Sequence, residues 1–215
     1  MNAHDRPMPE PIVPHVSDAL VILDYFGIAV FAVSGALLAA EKRQTLVTFI
    51  FFAVATGVGG GTLRDLLIGA PVFWVRANAM LLICFGAALL VWLTSRHRFA
   101  GRALLWFDAA GVAAYATYGA AKALGYGVAP VPAFAMGVMT ACVGGIIRDV
   151  LASEPSILMR PELYVTAAAL AAGLFVGLSL VATPVWIAAV VSIAAGFALR
   201  GAAIARGWKL PAYGK

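Results

Sequence analysis

The stretch Thr56-Gly-Val-Gly-Gly-Gly-Thr-Leu-Arg-Asp65 recurs 84 residues later as Thr140-Ala-Cys-Val-Gly-Gly-Ile-Ile-Arg-Asp149. Five of its ten positions are identical. The same offset, without a gap, sets Asp24-Tyr-Phe-Gly-Ile-Ala-Val-Phe-Ala-Val-Ser-Gly-Ala36 against Asp108-Ala-Ala-Gly-Val-Ala-Ala-Tyr-Ala-Thr-Tyr-Gly-Ala120, with six of 13 positions identical. Pro71 and Arg76 fall on Pro155 and Arg160. One register held across separate stretches marks an internal duplication. Its repeated element is a glycine-rich apolar segment ending in Arg-Asp.

Outward from that element the chain is apolar almost throughout. Hydrophobic residues make up 63% and charged residues 12%, and the mean hydropathy is +0.95. These values lie outside the soluble range. Seven stretches, near 20–40, 45–68, 78–94, 104–124, 131–152, 161–182 and 184–205, each approach the length a helix needs to cross ~30 Å of hydrocarbon. The expected fold is therefore all-α and integral to the membrane. Repeat 1 covers about 20–94, repeat 2 about 104–182, and a seventh helix about 184–205. Residues 1–17, with four prolines among polar neighbours, read as a disordered tail without signal-peptide character. Residues 18–205 form the transmembrane unit, and 206–215 a cytoplasmic tail.

Three spans per repeat is an odd number, so the second copy enters the membrane from the opposite side. The result is a 3+3 inverted repeat about a pseudo-two-fold axis in the membrane plane. The formal charge of +5 reads as topology, not as nucleic-acid binding. Lys42, Arg43, Arg96, Arg98, Arg102, Arg160, Arg200, Arg206, Lys209 and Lys215 lie on one side; Arg6, Arg76 and Lys122 lie on the other. Ten against three puts the N-terminus outside and the C-terminus in the cytoplasm.

Helical spacing sets Gly57, Gly60, Gly61 and Arg64 on one stripe, and Ala141, Gly144, Gly145 and Arg148 on its mate. Irregular backbone at membrane depth survives only when buried in protein or lining a wet cavity. The glycines, Gly59 among them, are thus candidates for hinges in the second and fifth helices, or else for close helix packing. Ionisable groups inside spans are costly and functional by default, which singles out Asp24, Arg64, Asp65, Asp108, Arg148 and Asp149. Asp24 and Arg64 each sit ~6 Å below the same boundary, and Asp108 and Arg148 share the opposite layer. The expectation is two ion pairs, Asp24–Arg64 and Asp108–Arg148, which would reduce the burial cost of each charge.

The fourth span carries a stripe of Asp108, Gly111, Tyr115, Tyr118 and Lys122, whose mates are Asp24, Gly27, Phe31, Ser34 and Leu38. Such a stripe can face a lumen, or pack with satisfied hydroxyls while Lys122 snorkels. The seventh span reads as a closing helix or oligomer contact without internal charge. Gly173 and Gly177 offer a small-residue face in the sixth. Cys84 and Cys142 suit packing. Neither a metal cluster, a cofactor motif, a nucleophile beside a base nor a phosphate loop appears, so no enzyme is expected.

The doubled GGxxRD, the two Asp-x-x-Gly openings and the seventh helix resemble the prokaryotic branch of the trimeric intracellular cation (TRIC) channel family, over about 18–205. The resemblance implies a homotrimer in the inner membrane, with a hydrophilic pore in each subunit lined by kinked second and fifth helices. Such a pore conducts monovalent cations (K+, Na+), chiefly potassium. By position it assigns Gly59, Gly60, Gly61, Arg64 and Asp65 with Gly144, Gly145, Arg148 and Asp149 to the motif, and gating to Lys122. Val143 and Ala141 depart from the pattern where Gly59 and Gly57 stand. A secondary transporter of a small solute such as glycine fits the inverted repeats and intramembrane charges as well.

Overall fold

A computed structural model describes residues 18–94 and 97–211. The tail 1–17, with Arg6, and also Arg96 and Lys215, lie outside the described residues. Among the described residues the chain forms seven α-helices: α1 Asp18–Glu41, α2 Leu46–Leu67, α3 Asn78–Thr94, α4 His97–Gly125, α5 Pro130–Leu151, α6 Val165–Leu180 and α7 Val185–Arg206. Single 3-10 turns, Phe73–Arg76 and Ile157–Met159, follow α2 and α5 at equivalent places in the two repeats.

Among the described residues four helices are long and apolar enough to cross a membrane, beginning at Val21, Leu46, Pro130 and Val185; α3 and α6 are shorter apolar helices. Two bounds differ from the sequence expectation. The helix α4 begins at His97, not near 104, because helical geometry continues through a basic segment that hydropathy alone assigns to a loop. The helix α6 begins at Val165, not near 161, because Ile157–Met159 turns as a 3-10 helix and Pro161 follows.

Charged groups sit inside the bundle and large apolar ones on its surface, although most of the core is itself apolar. Asp24, Ser34, Thr56, Arg64, Asp65, Asp108, Thr140, Arg148 and Asp149 are buried, whereas Val47, Leu82, Leu93, Val131 and Trp186 are exposed. An apolar exterior with the ionisable groups withdrawn into the bundle is the arrangement hydrocarbon solvent selects.

Packing follows the duplication. The α1 helix packs on α4, and α2 on α5; α3 lies against α1 and α2, as α6 lies against α4 and α5. The seventh helix rests on α4 and α6 and has no mate. At the pseudo-two-fold the backbones of α2 and α5 touch. A Cβ on Gly144 would lie 2.6 Å from the carbonyl oxygen of Thr56, and one on Gly60 would overlap the carbonyl oxygen of Thr140. Since Thr56 and Gly60 are the repeat mates of Thr140 and Gly144, this reciprocal contact is the axis itself.

Neither helix is unwound there: α2 and α5 each run 22 residues as continuous α-helix through their glycines. The interrupted helices expected from the sequence give way to a crossing in which glycine removes the bulk that would separate two carbonyl-bearing backbones. The α6–α7 contact works similarly, through Gly196 against Ala171 (2.8 Å for an added Cβ). Gly173 and Gly177 do not serve it; an added Cβ at Gly177 meets nothing. Cys84 and Cys142 are buried free thiols.

A Cβ at the α2–α5 crossing has only backbone to push against. Gly60→Ala is expected to lose about 1–3 kcal/mol, as overpacked sites do. Gly86→Ala, where a Cβ meets open space, should stay within about 0.5 kcal/mol of the parent. Equilibrium unfolding in detergent measures both.

Candidate functional site

Two charged layers lie in the protein, one centred on each Arg-Asp motif. Within each motif the aspartate divides its oxygens identically. Asp65 Oδ1 accepts from Arg64 Nε (2.9 Å) and Nη2 (2.7 Å), and its Oδ2 accepts from the Phe73 backbone N–H at 3.1 Å. Asp149 Oδ1 accepts from Arg148 Nε (3.0 Å) and Nη2 (2.8 Å), and its Oδ2 from the Ile157 backbone N–H at 2.9 Å. Phe73 and Ile157 open the two 3-10 turns. Each aspartate therefore neutralises its neighbour and anchors the chain that leaves the helix. Charge-assisted bonds of this kind are the strong ones, and they satisfy donors that a membrane interior would leave without water.

Beyond the motif the layers diverge. In the second layer Arg148 Nη1 donates to Asp108 Oδ1 at 2.6 Å and also to Ser34 Oγ. The expected Asp108–Arg148 pair is thus present in the geometry. The expected Asp24–Arg64 pair is not. Arg64, only 1% exposed, forms its ion pair with Asp65. Asp24 Oδ2 instead accepts from the Tyr118 hydroxyl at 2.9 Å. The cause is the residue at one repeat position: Tyr118 stands where Ser34 stands in the other half. Its ring lies against the Arg64 guanidinium, 4.9 Å from centroid to Cζ. Lys122 completes the first layer, reaching Asp65 at 2.8 Å and lying 5.6 Å from the centre of the Phe73 ring.

Between the layers, Tyr115 donates to the Gly57 carbonyl at 3.3 Å and packs against Phe31, its repeat mate, with centroids 5.2 Å apart. Ten residues separate Asp108 from Tyr118 on α4, and Asp24 from Ser34 on α1. The layers therefore stand ~15 Å apart along the helices. The motif glycines are filled from neighbouring elements: Gly57 by Cys84, Gly59 by Ile147, Gly61 by Phe73 and Gly145 by the Tyr164 hydroxyl.

The second layer floors a cavity of about 250 Å³. Asp108, Arg148 and Asp149 line it together with Glu41, Glu154 and Arg160. Lys42, between α1 and α2, is ion-paired with Glu154, between α5 and α6, so the two repeats are tied beside this cavity. That lysine holds the Glu154 carboxyl below its ordinary range. Among the described residues no cluster could hold a metal ion.

Arg200 is a polar residue that sequence reasoning placed wrongly. It was expected outside the spans of a helix without internal charge, yet it is 2% exposed on α7. It donates to Glu162 and lies 5.4 Å from the centre of the Tyr164 ring. The available signal was an arginine six residues before the helix end with an acidic residue, Glu162, in the loop before α6. Lys209 bridges to Glu162 through the backbone, and the Leu210 N–H donates to the Pro161 carbonyl at 2.8 Å. The segment after α7 is thereby tied to the loop that carries Tyr164.

The family model described as Glycine transporter matches residues 21–96 and 105–180, one match on each repeat. The chain belongs to this family. It is 44% identical over 151 residues to a UPF0126 membrane protein of Vibrio cholerae, a match covering 69% of this chain and 63% of that protein. It is 40% identical over 148 residues to the UPF0126 inner membrane protein YadS of Escherichia coli K12, covering 67% and 72%. Among solved structures, the TRIC trimeric intracellular cation channel orthologue from Rhodobacter sphaeroides is 42% identical with a TM-score of 0.84, over 89% of this chain and 100% of that one. A prokaryotic TRIC channel crystallised in 0.5 M KCl is 27% identical with a TM-score of 0.81, over 89% and 98%. The resemblance carried by the doubled motif therefore holds, the fold is that of the prokaryotic TRIC channels, and its structural neighbours are channels rather than enzymes.

Removing Arg148 strands two buried carboxylates. Arg148→Ala is expected to destabilise the protein by about 3–5 kcal/mol, the range for one-sided loss of a buried pair, with less if the cavity is wet. Adding Asp108→Asn should recover part of that loss. A double variant that is simply additive in equilibrium unfolding would deny the pairing.

Proposed function

We propose that the protein is a monovalent cation channel, of potassium type, whose path runs inside one protomer past the two charged layers. The single observation that carries this reading is the pair of symmetric Arg-Asp layers within one chain, joined by the buried stripe of Tyr115, Tyr118 and Ser34. A path along an oligomer axis would leave these costly intramembrane charges without a task. The α2 and α5 helices flank the path, and their glycines supply the positions at which they bend as it opens. Cation preference follows from the second layer and its cavity. Asp108, Asp149 and Glu41 against Arg148 and Arg160 give −3 + 2 = −1, with Glu154 neutralised by Lys42. The first layer, Asp24 and Asp65 against Arg64 and Lys122, gives −2 + 2 = 0, and Lys122 there opposes passage.

The protein is assigned to the inner membrane as a homotrimer, with its N-terminus outside and its C-terminus in the cytoplasm. That orientation puts the cavity and the Lys42–Glu154 tie on the cytoplasmic face. Relatives named as membrane and inner membrane proteins and a structural neighbour named as trimeric support the assignment.

One observation favours a second reading, secondary transport of a small solute such as glycine. The two layers are equivalent by symmetry yet one is packed with aromatic rings and the other faces a cavity, as in an alternating-access protein.

Reconstitution in planar bilayers separates the readings. A channel gives unitary current steps whose reversal potential follows the K+ gradient. Saturable solute uptake without such steps would establish the transporter and contradict the proposal. Under the channel reading, Lys122→Ala should raise cation current, and more so at low ionic strength where screening is weak.

A further inference from the structure

The two charged layers use equivalent backbone positions yet hold their arginines differently. In the second, Arg148 spans both Asp108 and Asp149, and Ser34 accepts a further bond. In the first, Arg64 gives Nε and Nη2 to Asp65 alone. Its Nη1 is buried and makes no hydrogen bond within the protein, and the same is true of Asp24 Oδ1. An unbonded cationic donor and an unbonded anionic acceptor thus occupy one buried layer. Between them stands the Tyr118 side chain, its ring on the guanidinium and its hydroxyl on the other oxygen of Asp24. Buried charged groups left without partners are costly. At the other end, where serine replaces tyrosine, one oxygen of Asp108 is likewise unbonded, but all three nitrogens of the Arg148 guanidinium are bonded.

We infer that Tyr118 is a positioning residue that holds the first layer closed: when its ring withdraws, Arg64 closes onto Asp24 while keeping Asp65, as Arg148 already closes onto Asp108. The side chain acts through its bulk, which keeps two opposite charges apart, and through its hydroxyl, which compensates Asp24 meanwhile. Asp65 now carries Arg64, Lys122 and the Phe73 N–H together. Sharing Arg64 with Asp24 changes the field that retains Lys122, so both cations shift with one ring. The second layer, beside its cavity, is the image of the arrangement that results. This deepens the channel reading and rests on it for its consequence in current, though not for the exchange of partners.

The test is a double-mutant cycle between Asp24→Asn and Arg64→Gln, run in the parent and again in a Tyr118→Ser background, by equilibrium unfolding of the purified protein. In the serine background the coupling factor should rise at least about tenfold, within the range of directly bonded neighbours. An unchanged coupling factor overturns the inference. Tyr118→Thr carries the same expectation. Failure of both small-residue variants to fold would also overturn it, because the equivalent position folds with Ser34. In planar bilayers Tyr118→Ser should raise open probability while Tyr118→Phe, which keeps the ring, should not; equal opening by both would refute the role of the ring. Silence of every variant and of the parent, with the coupling increased, would sink the channel reading and leave the exchange of partners standing.

Discussion

The structure depends on how it neutralises an arginine within an apolar bundle. A guanidinium cannot shed its charge, and burial without a partner costs several kcal/mol. The chain meets this constraint locally, by setting an aspartate next in sequence so that one carboxylate oxygen chelates Nε and Nη2. The other oxygen then caps the 3-10 turn that follows. One two-residue unit therefore settles a charge and anchors the turn that follows the helix. Because the unit occurs twice in opposite senses, it fixes both ends of the bundle alike.

The crossing of α2 and α5 is the second consequence of duplication. Two copies related by a two-fold axis must meet themselves on that axis, and the meeting is closest if the residues there have no side chain. Gly60 and Gly144 each face the carbonyl of the other copy's threonine. In this structure their absence of Cβ serves close approach, and both lie in continuous helix. The same two-fold puts Phe31 and Tyr115 side by side between the charged layers. The seventh helix stands outside this symmetry, and its buried Arg200 secures the loop of the second repeat alone.

The duplication, the helical membrane class and the members of each charged layer were legible because they rest on composition, register and depth, all of which are one-dimensional. The Asp108–Arg148 pair followed from depth alone, since Ser34 leaves its layer unobstructed. Depth failed for Asp24 and Arg64 because the deciding group is a ring on a third helix, and what a ring displaces is a matter of three-dimensional packing. The glycines left two readings open for a related reason. A glycine stripe is equally compatible with a bend and with a close crossing, and only the opposing backbone distinguishes them. Arg200 was hidden because hydropathy treats a basic residue near a helix end as solvated, whereas Glu162 and the Tyr164 ring draw it inside.

That duplication within a single chain makes each protomer sufficient for its own path is the central claim of the proposal. The most direct measurement is the unitary behaviour of mixed oligomers that combine the parent with copies carrying Arg148→Ala and Asp108→Asn, chosen to fold yet disrupt one layer. If each protomer holds a path, current levels should fall in equal steps with the number of altered copies, and the remaining copies should keep their full unit conductance. Collapse of all conductance on inclusion of a single altered copy would place the path on the oligomer axis and contradict the account.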